Sequence, residues 1–285
     1  AVATPAEPGV AVATPTELPR VVGEVAASSA IVALEAVSRL VQSGVRSQRR
    51  DYVTKQGGKS YYLGFLRPGI AVAHRDEAAS PGYYWVHLPG HDIDVELTAT
   101  LRTGLVRLRF PPVPDATVLW NVSGSANGTF ADGTSIRVKS DTELEGQAAS
   151  GNCGGGFRYQ VYFAVRFDRP FTRRGAWEGD AATPGGSQAQ GNQAGLWTVF
   201  DTQTQQVVQA RVGLSFSSVE EAWKNLEAES RAAEGLTFDF DRVASEATPA
   251  WDDRLHAVET TGGTESERKV FYTALYHAQI HPAPS

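Results

Sequence analysis

The chain has 285 residues, of which 41% are hydrophobic, and it carries a formal net charge of −6 with a pI near 5.6. This composition can fill the core of one large domain or two smaller ones. The acidic balance argues against a general nucleic-acid binder, and no apolar run approaches the roughly 20 residues that a membrane-spanning helix needs.

The first 60 residues contain two kinds of sequence. The start of the chain is mostly Ala, Val, Pro and Thr, with too little apolar bulk to pack, so we predict a disordered leader over residues 1–27. This start resembles the sequence left after removal of a signal peptide, which favours export. Residues 28–60 are predicted to form an amphipathic helix and a linker, because apolar residues recur there at helical spacing. They are Ile31, Leu34, Val37, Val41 and Val45.

A shorter hydrophobic period marks residues 61–217, where apolar and polar residues alternate. "DIDVELTAT" alternates, "RTG" supplies a turn and "LVRLRF" alternates back, which predicts a β-hairpin. The same alternation in "FRYQVYFAVRFDRPF" and "QVVQARVGLSFSS" predicts further strands with one polar face. Residues 173–194 are rich in Gly, Gln and Ala and lack alternation, so we predict a long surface loop there. The strands together predict a β-sandwich domain over residues 61–217.

Helical periodicity returns after residue 217. Two pairs of residues, Ser218 with Glu221 and Thr264 with Glu267, have the spacing of capping boxes and predict the starts of two helices. A third helical pattern lies between them and contains Pro249, which we expect to kink it.

Five stretches in series resemble one protein family. They are "HRDEAASPGYYWVHL", "IDVELTATLRTGLVRLRFP", "VYFAVRFDRPF", "VGLSFSSVEEAWKNLEAE" and "GGTESERKVFYTALYHAQIHP". In this order and spacing they resemble the amino-terminal region of glycoside hydrolase family 92. Members of that family are calcium-dependent, exo-acting α-mannosidases that invert the anomeric configuration.

The resemblance implies a mainly β fold, an antiparallel β-sandwich of the galactose-mutarotase or supersandwich type, with flanking and C-terminal linker helices. It also implies that residues 218–285 form a helical linker toward a catalytic (α/α)6 barrel that is missing from this sequence. We therefore expect the amino-terminal domain of an exported α-mannosidase, which packs on the barrel, lines the rim of the mannoside pocket and is inactive alone.

Inverting hydrolysis needs two carboxyl groups about 6.5–9.5 Å apart, with water between them. The acidic residues of this chain lie mostly on polar strand faces or helix surfaces, where solvated charge is the expected state; Asp92, Asp94 and Glu96 are examples. We expect no catalytic residue within the chain, so that the acid and the base lie in the barrel.

The stretches that carry the resemblance also contain the candidate substrate-binding residues, which are Glu77, Tyr83, Tyr84, Tyr276 and His277. In one interpretation they line the edge of a sugar cleft, where aromatic rings stack on sugar faces and polar groups hold hydroxyls. In the other, the tyrosines are packing residues, and the carboxylate and imidazole form structural hydrogen bonds at the domain junction.

No metal site is predicted within the chain. It has no EF-hand loop, its single Cys153 has no partner cysteine, and His74, His87 and His91 lack the spacing of a two-His helical site. The family's calcium is expected to be held with the barrel. Expected partners are α-mannoside glycans and a separate chain that carries the barrel.

Two other functions stay open on the sequence alone. The chain could be a stand-alone carbohydrate-binding module that uses its sandwich surface without catalysis. It could also be a structural subunit of an exported or envelope complex, with the helix predicted over residues 28–49 docking a partner. In every case we expect a secreted, periplasmic or cell-envelope location.

Overall fold

A computed structural model describes most of the chain after its amino-terminal region. The described residues are 53–56, 59–62, 74–89, 91–122, 133–151, 158–179, 181–191, 194–229 and 238–279. The predicted leader and the helix predicted over residues 28–49 lie outside the described residues, and so does Cys153. The first described element is a hairpin of strands β1 (Val53–Gln56) and β2 (Lys59–Tyr62).

The rest of the described β-structure consists of two antiparallel sheets. Their strands are β3 (Glu77–Ser80), β4 (Tyr83–Leu88), β5 (Ile93–Ala99), β6 (Thr103–Arg109), β7 (Ala116–Asn121), β8 (Ser135–Ser140), β9 (Glu143–Gly151), β10 (Arg158–Phe167), β11 (Arg173–Glu178), β12 (Ala181–Pro184), β13 (Gln188–Gln190), β14 (Ala194–Phe200) and β15 (Val207–Ser215). Nine strands pair in the order β13–β8–β9–β10–β15–β6–β5–β4–β3, and four pair in the order β12–β11–β14–β7.

The two sheets face each other across one hydrophobic core. Alternate side chains of both sheets belong to it, as strands with one buried face require. Trp120 of the smaller sheet packs edge-to-face on Phe167 of the larger one, with ring centroids 5.2 Å apart. Its indole N–H donates to Thr198 Oγ1 at 3.0 Å, so the polar edge of this buried ring is satisfied. The predicted mainly β sandwich is confirmed.

The predicted hairpin is confirmed as β5 and β6, with Thr98 opposite Leu105. The alternation in the later strands is confirmed for β10, where Val161, Phe163 and Val165 face the core. Tyr159, near the start of the same strand, is exposed and makes an edge contact with the exposed Phe216.

The prediction of a surface loop over residues 173–194 is wrong, because β11, β12 and β13 lie there. Gly175 pairs with Trp197 of β14, and Trp177 pairs with Gly195. Each glycine leaves room for the indole ring opposite, since a Cβ placed on it would collide with that ring. Glycine and alanine therefore interrupt the hydrophobic alternation in sequence without interrupting the strands.

The described residues after the sandwich form three helices: α1 (Val219–Glu229), α2 (Phe240–Leu255) and α3 (Glu265–Gln279). The helix starts agree with the capping boxes. Ser218 Oγ accepts from the Glu221 N–H at 3.2 Å, whereas Thr264 and Glu267 cap each other reciprocally. Pro249 lies inside α2, and the kink expected there stays a prediction. None of the helices in the described ranges is both long and apolar enough to cross a membrane.

Helix α1 lies on the face of the nine-stranded sheet that is turned away from the core. Its Ala222 and Leu226 are fully buried and pack on Ala164 of β10. Gly213 of β15 makes this approach possible, because a Cβ there would lie only 2.6 Å from the Leu226 Cβ. The helix axis is thus held close to the backbone of the sheet.

Helix α2 covers the neighbouring part of the same face. Its Phe240 and Val243 pack on Leu105 of β6. Gly82, which has a φ of +85°, lies against Ala247, and a Cβ on it would be 2.6 Å from the Ala247 Cβ. A side chain at residue 82 would therefore meet both backbone strain and a steric clash.

Replacing Leu226 with alanine should lower the free energy of unfolding by about 2–5 kcal/mol, because it opens a cavity between α1 and the sheet. Urea titration followed by circular dichroism measures the change. The exposed Lys224 on the same helix is the matched control, and its replacement by alanine should cost less than about 1 kcal/mol. Equal losses in the two variants would show that α1 is not docked as described.

Candidate functional site

A charged cluster joins the sandwich to helix α2. It consists of Tyr83 on β4, Glu96 on β5, Arg107 on β6, and Phe240 with Asp241 at the start of α2; we call it the Arg107 cluster. Glu96 and Arg107 are paired residues of the β5–β6 hairpin, and their side chains lie on the face turned away from the core. The hairpin register thus places the Glu96 carboxylate beside the Arg107 guanidinium.

The geometry of the Arg107 cluster is that of a forked ion pair with an added aromatic contact. The Nε and Nη2 atoms of Arg107 donate to the two Glu96 carboxylate oxygens, each at 2.6 Å, and Nη1 donates to Asp241 Oδ1 at 2.8 Å. Tyr83 donates its hydroxyl to Glu96 Oε1 at 2.8 Å. The guanidinium lies 4.3 Å from the centroid of the Phe240 ring.

The cluster shifts the protonation of its own members. Burial by itself would raise the pKa of Glu96, but hydrogen bonds from Arg107 and Tyr83, with the charge of Arg107, outweigh it and hold this pKa below its usual value. Burial, followed by the hydrogen bond to the Glu96 carboxylate, raises the pKa of Tyr83 to about 12. Glu96 is therefore ionised and Tyr83 neutral at physiological pH.

The expectation that Glu96 is solvated is therefore wrong, because the Glu96 carboxylate is partly buried and paired. Asp94 is also paired, with His87 Nδ1 at 2.9 Å from its Oδ1. The hairpin pattern could have indicated the Glu96–Arg107 pair, since the turn fixes which residues are opposite. The contribution of α2 had no such local indication.

Tyr84 and Glu77 meet at the edge of the sandwich. The Tyr84 ring is 1% exposed and belongs to the sandwich core, so it offers no face to a ligand. Its hydroxyl donates to Glu77 Oε2 at 2.8 Å, and burial raises the pKa of Tyr84 well above its ordinary value. Glu77 is partly exposed on the edge strand β3, where Tyr84 orients its carboxylate.

Tyr276 and His277 lie together on α3. Tyr276 is 7% exposed and packs edge-to-face on Trp251 of α2, with ring centroids 4.7 Å apart. The exposed His277 ring lies 5.8 Å from the Tyr276 ring. The structure thus divides the five predicted residues between the sandwich and α3, and α2 contacts both. Their contact with a sugar stays a prediction.

Helix α3 also has a side that no described part of the chain buries. Val270 is 68% exposed and Phe271 is 38% exposed. Phe271 and the buried Tyr276 are five residues apart, which separates them by roughly 140° around the helix axis. One side of α3 therefore packs on α2, and another presents apolar groups.

A second polar contact between a helix and the sandwich, made by Trp223 of α1, was not predicted from the sequence. Its indole N–H donates to Glu145 Oε2 on β9 at 2.7 Å, and the Lys139 ammonium lies 3.9 Å from its ring centroid.

The described residues contain no group of three or more His, Cys, Asp or Glu side chains that could hold a metal ion. The expected location of calcium, with the barrel, stays a prediction.

Comparison with known proteins identifies the class of protein to which the chain belongs. The chain combines a β-sandwich with helices that belong to a hydrolase catalytic domain: residues 64–215 match the glycosyl hydrolase family 92 N-terminal domain, and residues 221–284 match the glycosyl hydrolase family 92 catalytic domain. The first match alone covers more than half of the chain. The protein belongs to glycosyl hydrolase family 92, as the five sequence stretches predicted.

Solved structures of this family share the fold. The family GH92 α-mannosidase BT3965 from Bacteroides thetaiotaomicron is 24% identical with a TM-score of 0.63, and the match covers 74% of this chain and 28% of that one. The inverting mannosidase BT2199 from the same organism is 23% identical with a TM-score of 0.64, covering 75% of this chain and 27% of that one. This chain therefore spans little more than a quarter of either enzyme.

A curated relative comes from the fungus Arthroderma benhamiae. It is described as an uncharacterized secreted glycosidase and is 36% identical over 77 residues, which are 26% of this chain and 10% of the relative.

Replacing Glu96 with glutamine should lower the free energy of unfolding by about 1–3 kcal/mol at neutral pH, because Arg107 loses one of its two charged partners and keeps only Asp241. The pKa of Glu96 is lower in the folded state than in the unfolded chain. Its stabilising contribution is therefore complete above the ordinary value of about 4.3, and it is lost as the pH falls through the folded-state pKa. The difference between wild type and variant should shrink over that acidic range.

Urea titrations at several pH values measure this difference. The matched control is Glu221→Gln, which removes an exposed ion pair with Lys224 and should cost less than about 1 kcal/mol. A difference between wild type and Glu96→Gln that stays constant down to acidic pH would contradict the assigned role of the carboxylate.

Proposed function

We propose that this chain is the amino-terminal domain of an exported α-mannosidase, together with the first helices of its catalytic domain. The observation that carries the proposal is the exposed apolar side of α3, with Val270 and Phe271. Helix α3 lies within the segment that matches the family's catalytic domain. The remainder of a catalytic domain is the protein that would cover this side.

Burial of these side chains would drive the association. Complete burial of a side chain such as valine or phenylalanine contributes about 1.5–3 kcal/mol. The contact between Trp251 of α2 and Tyr276 of α3 attaches α3 to α2. The exposed apolar side of α3 is therefore presented in a fixed orientation. The sandwich then acts as a support that positions the first helices of the catalytic domain.

The rim of the substrate pocket is the proposed place of the predicted residues. His277 suits this role best among the pair on α3, because its side chain is exposed. On the sandwich, Tyr84 orients the partly exposed carboxylate of Glu77. Tyr83 acts through the Arg107 cluster and Tyr276 through Trp251, and these two position the elements that carry the rim.

The proposed substrate is an α-mannoside, which is supported by family membership and by the mannosidases among the structural relatives. Inverting cleavage requires a carboxylic acid that protonates the leaving oxygen and a carboxylate that activates water. We place both, with the calcium ion, in the remainder of the catalytic domain. Export is supported by the description of the fungal relative as secreted.

The purified 285-residue chain should release no mannose from a chromogenic α-mannoside in the presence of calcium. When it is mixed with a separately produced polypeptide that carries the remainder of a family 92 catalytic domain, we expect a complex and mannosidase activity. Size-exclusion chromatography with light scattering detects the complex, and released mannose measures the activity.

Phe271→Asp should weaken this complex at least tenfold, because it places a charge on the surface that becomes buried. Lys269→Asp introduces the same charge at an exposed position about 160° from Phe271 around the helix axis and should leave the complex intact. Mannose release by the chain alone, abolished when one of its own carboxylates is replaced, would refute the proposal.

A further inference from the structure

Two tryptophans lie side by side on the smaller sheet, on the face turned away from the core. Trp177 of β11 and Trp197 of β14 have ring centroids 6.5 Å apart, and their planes differ by 13°. Both are partly exposed. Their core-facing neighbours in the strands are Ala176 and Leu196, which are buried between the sheets. The indoles are therefore part of the outer surface.

Both rings lie flat on the sheet. A Cβ placed on Gly175 would meet Trp197 at Cζ2 and nearly as closely at the two adjacent ring atoms, Cε2 and Cη2. A point so close to three neighbouring ring atoms lies over the face of the ring, not beyond its edge. Because a Cα–Cβ bond points out of the sheet, the ring plane is parallel to the sheet. A Cβ placed on Gly195 would meet two ring atoms of Trp177, Cζ2 and Cη2, and the Trp177 plane differs from that of Trp197 by only 13°, so Trp177 is also nearly parallel to the sheet.

The rings form a continuous platform. The pair Gly175–Trp197 and the pair Trp177–Gly195 are two residues apart along the strands, a distance of about 6.8 Å. This distance matches the 6.5 Å between the ring centroids. The two rings therefore lie side by side on the sheet and are not stacked face to face. Leu119 of β7 extends the row of Trp197, and Asn121 extends the row of Trp177.

We propose that this platform, formed by Trp177 and Trp197, binds a polysaccharide by stacking of successive pyranose rings. A pyranose has a flat apolar face of C–H groups and a rim of hydroxyls, so two coplanar indoles match two sugar units in a row. Asn121 and the exposed Arg173, which lies beside the platform on β11, supply polar groups at its edges. The proposal goes beyond the proposed function, and only the choice of mannan as a probe rests on it.

Two other occupants fit less well. Bases of single-stranded nucleic acid also stack on aromatic rings, but their phosphates require a basic surface, and this chain has a net charge of −6. Protein interfaces bury side chains in complementary pockets, whereas Trp177 and Trp197 form a flat surface on this face. A polysaccharide is the ligand whose repeating units have the required shape.

A structural role alone must be separated from binding. An aromatic ring over a strand glycine stabilises a sheet by itself, and a glycine inside a strand costs about 0.5–1 kcal/mol. Loss of stability on replacing the tryptophans would therefore fit either role. Ligand retention and ligand protection are readouts that a structural role does not change.

The test uses the full chain on three solid supports: α-mannan coupled to agarose, insoluble cellulose and insoluble chitin. The wild type should be retained on at least one of them and not on bare agarose. Trp177→Ala/Trp197→Ala should lose at least tenfold in affinity, whereas Trp177→Phe/Trp197→Phe should keep most of it. The matched control is Tyr159→Ala/Phe216→Ala, which removes an exposed aromatic pair with edge geometry and should bind like the wild type.

A second measurement needs no variant and so does not depend on variant folding. Oxidative footprinting of the wild type by mass spectrometry, with and without a soluble oligosaccharide of the retaining polysaccharide, should show protection of Trp177 and Trp197. Trp85, which is partly exposed on β4 of the other sheet, should not be protected. The proposal would be overturned if the wild type bound none of the three supports, if the alanine variant were retained equally, or if the tryptophans were not protected. Salt-sensitive binding to oligodeoxythymidine in place of polysaccharide would also overturn it.

The outcome is independent of the mannosidase assay. Retention on cellulose or chitin without retention on mannan would support the platform and count against the proposed substrate. Retention combined with an inactive complex would support the platform and leave only the proposed function contradicted.

Discussion

An arginine held between two carboxylates joins the β-sandwich to the helices that follow it. Arg107 binds Glu96 of the adjacent strand with two N–H groups and Asp241 of α2 with a third, while its guanidinium lies on Phe240. Removing one partner from such a partly buried pair leaves an uncompensated charge, which is strongly unfavourable. The sheet therefore fixes the position of the start of α2. Helix α2 in turn carries Trp251, on which Tyr276 of α3 packs.

The elements that could be predicted from sequence are those specified by neighbouring residues. The β5–β6 hairpin follows from alternation around a turn, and α3 follows from the reciprocal cap of Thr264 and Glu267. Strand β11 was missed because Gly175, opposite Trp197, interrupts its alternation. Strands β12 and β13 were missed because they have only four and three residues and are mostly exposed, so they carry almost no hydrophobic pattern. The bond from Arg107 to Asp241 spans 134 residues, and no local pattern indicates it.

The candidate site shows the same division between local and distant information. The family could be identified from short stretches in series, and the matches to its N-terminal and catalytic domains confirm it. Which face of β4 is buried is a different question, because Tyr83 and Tyr84 are adjacent and point in opposite directions. Only the assembled sandwich shows that Tyr84 belongs to the core and that Tyr83 lies beneath α2.

Two glycines set the spacing between the nine-stranded sheet and its helices. At Gly213 and Gly82 the helix side chains approach the sheet backbone itself, and no side chain lies between them. Contacts of this kind cannot be lengthened by a change of rotamer, because backbone has none. The sandwich, α1 and α2 consequently form one closely packed unit. Under the proposed function, protein that covers the exposed side of α3 would be positioned through α2 by these short contacts, in which side-chain rotamers have little part.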